Sequence, residues 1–241
     1  MLIRNAEEYL MLQNFNFIIS FFHSRRYKWT IKKIIKNANI FKGKKIKILD
    51  IGSGHSLIID YLQKAKLNFE YIGIEPNESY FNYAKQKYLN MSNVTLIKKP
   101  IEEVIDDFSD IDIYIALESL ASMTEDTLIE LIKVISPKNY KLFLCTINNE
   151  VGPALLFKNL VSYLFRYKRY KAYTLRETFN ATFYSMHKNQ PHKSKNQFFN
   201  WKFLLHLLHQ KMIINSISSN PLNIIPSELS PNIFIEARKR I

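Results

Sequence analysis

The strongest constraint on this chain is a strand-like segment that runs directly into a glycine turn. Lys47–Ile51 is typical of a buried strand, and Gly52-Ser53-Gly54 follows it at once. A second strand-like segment, Phe69–Ile74, leads into Glu75. Glycine lets a backbone approach a ligand closely, and an acid after the second strand can accept hydrogen bonds from both hydroxyls of a ribose. With Asp50 at the first strand end, this layout predicts a nucleoside-binding site.

The residues after the turn favour one kind of nucleoside over another. A dinucleotide site needs G-x-G-x-x-G, whose third glycine leaves a helix N-terminus free for pyrophosphate. Here His55-Ser56-Leu57 follows the second glycine. The charge of Asp50 would repel a pyrophosphate, but it can hold an ammonium group. A cationic, phosphate-free ligand with a ribose fits better, and S-adenosylmethionine is such a ligand.

Together these segments resemble a class I S-adenosylmethionine-dependent methyltransferase. The resemblance covers residues 40–150 through motifs and the last thirty residues through their strand pattern. The family usually shows D/E-x-G-x-G-x-G, and Ser56 stands here in place of the third glycine. The resemblance implies that S-adenosylmethionine is the cofactor, with Asp50 holding its aminoacyl part and Glu75 its ribose. The further cofactor-binding residues implied at these two strand ends are Gly52, Ser53, Gly54 and Pro76.

The third and fourth strand ends depart from the family pattern. Pro100 stands where an acid usually pairs with the adenine amino group. The backbone of Ile101 and the side chain of Glu102 are the substitutes that we expect there, and Leu117 is expected beside the cofactor as well. Ala121-Ser122 replaces a pair in which small-molecule methyltransferases often carry a histidine base. A base must therefore come from elsewhere, or the acceptor loses its proton to solvent.

The alternation of apolar strands and amphipathic helices predicts one α/β domain over residues 1–241. We expect a doubly wound, mostly parallel sheet. The resemblance implies that it has seven strands, with an antiparallel C-terminal hairpin and a helical lid. The predicted strands are Lys47–Ile51, Phe69–Ile74, Val94–Ile97, Ile111–Ala116, Lys141–Thr146, Lys211–Ser219 and Asn232–Ala237. The predicted helices are Leu10–Phe22, Leu57–Lys66, Ser79–Leu89, Glu102–Asp106, Glu125–Ile135, Ala154–Tyr170 and Asn200–Gln210.

Two segments outside the core supply further candidates. Residues 1–40 form a predicted N-terminal helical arm, in which Arg25 or Arg26 can meet the methionine carboxylate; Arg26 is the candidate. Residues 151–200 form a predicted lid insertion over the acceptor pocket. Its polar segment carries His187 and His192, our candidates for acceptor binding or base catalysis. The alternative is that both are solvated loop histidines.

Charge is distributed unevenly. Residues 1–46 carry ten basic residues (Lys+Arg) and two acidic residues (Asp+Glu), a net charge of +8. Residues 47–150 carry ten basic and sixteen acidic residues, a net charge of −6. Residues 151–241 carry fourteen basic and three acidic residues, a net charge of +11, so an acidic core lies between two basic flanks. Two explanations compete. Lysine outnumbers arginine, which indicates compositional drift; alternatively, the flanks attract an anionic partner, such as a membrane surface or RNA.

Composition excludes some classes of protein. The single cysteine, Cys145, rules out an internal disulfide, and neither a signal peptide nor an apolar run of roughly 20 residues is visible. Cysteine usage favours a cytoplasmic protein. The resemblance implies an enzyme that methylates a small molecule, with O-methylation favoured. By resemblance too, the Val151-Gly152-Pro153 break with its following basic helix is similar to methyltransferases of cell-surface sugar or lipid pathways, and weak contact with an anionic membrane is a further interpretation. No motif indicates an oligomeric state. The alternatives are an RNA methyltransferase, which we rank lower, and a non-catalytic binding protein on the same fold.

Overall fold

A seven-stranded sheet forms the centre of the protein. The computed structural model describes residues 17–164, 173–185, 199–220 and 224–240. The strand order is β3-β2-β1-β4-β5-β7-β6. The strands are β1 (Ile46–Ile51), β2 (Phe69–Ile74), β3 (Val94–Ile97), β4 (Ile113–Leu117), β5 (Leu142–Asn148), β6 (Met212–Asn220) and β7 (Asn232–Lys239).

The order and direction of the strands create a topological switch point at the carboxyl ends of β1 and β4. Strands β1 to β5 are parallel, and β7 pairs antiparallel with both β5 and β6. From β1 the order runs outward to β2 and β3 on one side and to β4 and β5 on the other. Ligands of such sheets bind at this switch point, beyond the carboxyl ends of the strands. The predicted sheet, including its C-terminal hairpin, is confirmed.

Seven α-helices lie in the described ranges. They are α1 (Phe17–Lys36), α2 (Ile58–Lys64), α3 (Glu78–Lys87), α4 (Glu125–Ile135), α5 (Pro153–Leu164), α6 (Leu175–Thr182) and α7 (Trp201–Lys211). Within the same ranges, no helix is long and apolar enough to cross a bilayer.

The two faces of the sheet bury separate apolar clusters, because successive side chains of a strand point to opposite faces. On one face, buried residues of α1, α2 and α3 pack against Ile48 and Tyr71. On the other, buried residues of α4 and α7 pack against Leu49 and Ile51. Asp50 therefore lies on the same face of the sheet as Ile48, the face covered by α1, α2 and α3.

The N-terminal helix differs from the prediction. It was expected to end at Phe22, but α1 continues to Lys36, so Arg26 lies inside a helix. The reason is a helical spacing of buried residues, Thr30, Ile31 and Ile34, which the intervening lysines obscure in the sequence. The predicted helical residues before Phe17 lie outside the described residues.

Ionic contacts fix the C-terminal half of α1 to the hairpin. Lys33 Nζ lies 2.6 Å from Glu236 Oε2, and Arg238 Nη2 donates to Asn37 Oδ1 at 2.5 Å. Hydrogen bonds and charge from Lys33 outweigh burial and lower the pKa of Glu236. The N-terminal half of α1, which carries Arg26, is thereby directed toward the carboxyl edge of the sheet.

The region after β5 also departs from the prediction. Helix α6 was not predicted; a capping box formed by Thr174 and Glu177 begins it. Helix α5 is described to Leu164, and the rest of the predicted helix lies outside the described residues. The predicted helix Glu102–Asp106 is wrong, because two separate 3-10 turns occupy this segment.

Candidate functional site

The glycine turn after β1 has a backbone that favours glycine. Gly52 and Gly54 have φ angles of +68° and +53°, in a region that costs other residues roughly 1–2 kcal/mol. A Cβ on Gly52 would collide with Ser119, whereas one on Gly54 would meet nothing within 4 Å. Ser53 N donates to Ile74 O at 2.9 Å. The turn therefore folds across the end of β2 and leaves open space beside Gly54.

Glu75 joins the glycine turn to the end of β2. Its Oε2 accepts the backbone N–H of Gly54 at 2.7 Å, and its Oε1 accepts that of Asn77 at 2.8 Å. Burial raises the pKa of Glu75, although both backbone hydrogen bonds oppose this. A carboxylate has about four acceptor positions. Glu75 is thus oriented by the backbone and keeps acceptor capacity for a ligand.

Asp50 is a buried carboxylate with one unsatisfied oxygen. It is 2% exposed, and Tyr71 Oη donates to its Oδ2 at 2.7 Å. Among the described residues, Oδ1 has no hydrogen-bond partner. Burial raises the pKa of Asp50 to about 7, aided by the charge of Glu75 and opposed by the Tyr71 hydrogen bond and the charge of Arg26. Such an oxygen costs free energy unless a donor reaches it, so Asp50 is suited to a cationic ligand.

An aromatic cluster supports the glycine turn from α3. The His55 ring is buried and lies 4.6 Å from the Tyr80 ring and 5.1 Å from the Tyr83 ring, between centroids. Asn77 caps α3 by accepting the backbone N–H groups of Ser79 and Tyr80. The turn, Glu75 and the start of α3 therefore form one connected unit. His55 was not among the predicted site residues.

The remaining predicted cofactor residues lie on neighbouring strand ends. Pro76 is exposed and directly follows Glu75. Glu75 N donates to Ile97 O at 3.0 Å, which brings the end of β3 beside β2. In the turn that follows, the Ile101 side chain is buried in the core and Glu102 is exposed. Leu117 is half-buried at the end of β4. Because its side chain is buried, Ile101 can offer a ligand only its backbone.

A polar cluster that was not predicted lies at the end of β4. Arg26 Nη1 lies 2.6 Å from Glu118 Oε2, and the side-chain amides of Asn148 and Asn232 donate to Glu118 at 3.4 Å and 3.2 Å. Glu118 has a φ of +66°, an uncommon conformation for its residue type. Three elements besides β4 thus supply its partners. The sequence signal was an acid directly after Leu117, matching Glu75 after β2.

His187 and His192, the two predicted acceptor residues, lie outside the described residues. Arg26 lies at the end of β4, where it forms an ion pair with Glu118. Its contact with the methionine carboxylate stays a prediction. Cys145 is fully buried, and burial raises the pKa of its thiol. It therefore has the environment of an inert core thiol.

Solved structures with a similar fold are found, although no protein-family model and no curated protein matches the sequence. An S-adenosylmethionine-dependent methyltransferase from Clostridium acetobutylicum aligns with 98% of this chain and 99% of its own, at a TM-score of 0.62 and 10% identity. The methyltransferase domain of bacterial CtHen1 aligns with 90% of this chain and 99% of its own, at a TM-score of 0.60 and 15% identity.

Magnesium protoporphyrin IX methyltransferase from Synechocystis, with bound SAH, covers 93% of this chain and 88% of its own, at a TM-score of 0.59 and 13% identity. At this level of identity the similarity concerns the fold. The strand order, the C-terminal hairpin and the glycine turn at the switch point agree with it. The chain therefore has the fold of the class I S-adenosylmethionine-dependent methyltransferases.

Proposed function

We propose that this protein is an S-adenosylmethionine-dependent methyltransferase that acts on a small-molecule acceptor. The observation that carries the proposal is the joint geometry of the first two strand ends. The Glu75 carboxylate holds the Gly54 amide, and a buried, unsatisfied oxygen of Asp50 lies in the preceding strand. The solved structures with the same fold, which include one with bound SAH, agree with this assignment.

The residues fit the chemistry of S-adenosylmethionine. An ammonium group near Asp50 would supply the donor that its Oδ1 lacks among the described residues. The open side of Gly54 offers room for a ligand close to the backbone. Glu75 can accept hydrogen bonds from two ribose hydroxyls while it keeps both backbone contacts. Arg26 remains the candidate for the methionine carboxylate, because a guanidinium has five donors and can serve a further partner besides Glu118 and Tyr27.

The protein's own task in the reaction is mainly alignment. When bound, S-adenosylmethionine supplies a methyl group that its positive sulfonium already activates. Asp50 and Glu75 would hold the aminoacyl part and the ribose of the donor, and the hydrogen bond from the Gly54 amide to Glu75 fixes the position of the turn between them. Fixing the acceptor in line with the methyl group and excluding water can then supply much of the rate enhancement.

We assign the acceptor side to the Glu118 cluster. Glu118, Asn148 and Asn232 offer both hydrogen-bond acceptors and donors at the ends of β4 and β5. This composition suits a small polar acceptor bearing hydroxyl groups, and it favours O-methylation. We retain His187 and His192 as the candidates for a base. A sugar or lipid precursor of the cell surface is the acceptor class that we propose.

We also propose that the whole chain acts as one domain. Residues 1–40 would form the N-terminal arm, of which α1 carries Arg26, and residues 151–200 the lid over the acceptor. A lid of this kind predicts that proteolysis within residues 151–200 slows when donor and acceptor are both present, and slows less with the donor alone. Equal cleavage under both conditions would contradict it.

The decisive experiment is calorimetric titration of the full chain with S-adenosylmethionine and SAH. Saturable binding of one equivalent is expected. Its absence from a folded protein would favour a non-catalytic role. Transfer of a labelled methyl group into polar small molecules, lipid extracts or RNA would then identify the acceptor class, and incorporation into RNA alone would overturn the small-molecule assignment.

A further inference from the structure

Helices α5 and α6 expose a run of large apolar side chains. Seven residues, here called the apolar face, are each between 51% and 91% exposed. They are Leu156, Phe157, Leu160, Tyr163, Leu175, Phe179 and Phe183. Soluble proteins carry scattered apolar residues on their surfaces, but a cluster of this kind marks an interaction site.

The exposure follows from how the two helices pack. Ala154, Leu155 and Asn159 turn inward from α5, and Asn159 Nδ2 donates to Thr178 Oγ1 of α6 at 3.0 Å. Gly152 N donates to Ala181 O at 2.8 Å. The exposed apolar residues of α5 lie on the opposite side of that helix. Phe157, Leu160 and Tyr163 follow Leu156 by one, four and seven positions, which places them on one side of a helix. In α6 and its cap, the exposed residues recur every fourth position.

The stretch of sequence that carries the apolar face is strongly basic. From Pro153 to Phe183 the sequence holds six Lys+Arg and a single acid, Glu177. Lys158 is neutralised by Glu150, at 3.0 Å. The other five basic residues have one acid among them, and the segment joining the helices alternates basic and aromatic residues. Large exposed apolar side chains on helices within a basic stretch of sequence are typical of segments that lie on an anionic bilayer.

We propose that the apolar face of α5 and α6 docks on an anionic lipid bilayer. The side chains of the apolar face would enter the boundary between headgroups and acyl chains, and the net positive charge of residues 153–183 would favour anionic lipids. This proposal names a site for the membrane contact, and it does not depend on methyl transfer.

Charge and side-chain type favour a bilayer over two other occupants. A second copy of the chain would bring one excess of positive charge against another, which costs free energy. A single-stranded nucleic acid would gain from stacking on aromatic rings, but Leu156, Leu160 and Leu175 provide no ring for stacking. A bilayer uses the aliphatic side chains and the cations together.

The test is co-sedimentation of the full chain with vesicles of phosphatidylcholine, with or without phosphatidylglycerol. Binding should require phosphatidylglycerol and weaken as salt rises from about 0.1 M to about 1 M, because the Debye length falls from about 10 Å to about 3 Å. Changing Phe157→Asp and Leu160→Asp together should weaken vesicle binding at least tenfold. Calorimetry should show unchanged S-adenosylmethionine affinity.

A matched control carries the same change in charge elsewhere. Ile35→Asp with Leu89→Asp alters two exposed apolar residues of similar exposure, 50% and 71%, outside the apolar face. This control should lose less than threefold in vesicle affinity. Equal losses in the two double variants would show that net charge alone drives binding, and would overturn the docking site.

A second measurement does not depend on disruptive variants. Phe179→Cys can be labelled with an environment-sensitive fluorophore, because the natural Cys145 is fully buried. Its emission should shift to the blue with anionic vesicles, and that of Leu89→Cys should not. The proposal is overturned if no shift occurs. It is also overturned if sedimentation velocity shows a dimer that the Phe157→Asp and Leu160→Asp changes disrupt. Tighter binding of RNA than of vesicles, with RNA binding lost in the same double variant, would overturn it as well.

Discussion

Glu75 Oε2 accepts the backbone amide of Gly54 at 2.7 Å and so ties the end of β2 to the turn after β1. This contact sets the relative position of the two groups that define the candidate cofactor site.

Changing Glu75→Ala should weaken S-adenosylmethionine binding by more than tenfold. The loss of charge-assisted hydrogen bonds to a ribose costs about 1.5–3 kcal/mol. Calorimetry measures the affinity, and circular dichroism checks that the variant folds. Glu78→Ala is the control, since this acid lies three residues further on and is mostly exposed. Unchanged affinity in a folded Glu75→Ala protein would remove Glu75 from the site.

Changing Gly54→Ala should abolish cofactor binding with only a modest loss of stability. Gly43 is a matched control, because it also has a positive φ, +72°, and open space around it. Each alanine should cost about 1–2 kcal/mol in urea unfolding. Only the Cβ at position 54 would enter the proposed ligand space, so affinity should fall in that variant alone. Parallel losses of affinity in both variants would point to a general effect of backbone strain.

S-adenosylmethionine affinity should rise with pH until Asp50 is ionised. The pKa of Asp50 is about 7 in the ligand-free chain, and only the carboxylate attracts an ammonium group. Affinity should therefore increase up to tenfold per pH unit below about pH 7 and then level off. In Asp50→Asn the affinity should be low and nearly independent of pH. A wild-type affinity that is constant from about pH 5 to pH 8 would exclude this role.

Ionisation of Asp50 should lower the stability of the ligand-free protein, although it raises the affinity for S-adenosylmethionine. The folded chain binds the Asp50 proton more tightly than the unfolded chain, because the pKa is raised from 3.8. The contribution of Asp50 to the free energy of unfolding is therefore largest below about pH 4 and falls as pH rises toward 7. Asp50→Asn should raise the melting temperature of the ligand-free protein at pH 8. A lower melting temperature would show that the Tyr71 hydrogen bond outweighs burial.

Glu118→Gly should be more stable than Glu118→Ala by about 1 kcal/mol. Both variants lose the Arg26 ion pair, but alanine also keeps an unfavourable φ near +66°. Urea unfolding measures the difference. If alanine were the more stable of the two, the backbone at this position would have relaxed. Neither variant should change S-adenosylmethionine affinity as much as Glu75→Ala does.

The sequence by itself determined the local features: the strands, the glycine turn, and the acids at the ends of β1 and β2. These depend on short-range spacing and on the φ angles that glycine permits. Helix α1 was misjudged because its buried residues are separated by lysines. Helix α6 was missed because its buried positions include Thr178 and Thr182, which do not mark an apolar face.

Only the tertiary structure decided which distant residues meet. The partners of Glu118 come from α1, β5 and β7, and Arg26 lies 92 positions away from it in sequence. The sequence likewise did not show that one oxygen of Asp50 is buried beside Tyr71, or that the outer sides of α5 and α6 face solvent. The burial of a side chain and its hydrogen-bond partners depend on how the helices pack against the sheet. The sequence pattern of a segment indicates its preferred secondary structure, but it does not indicate which distant segment it contacts.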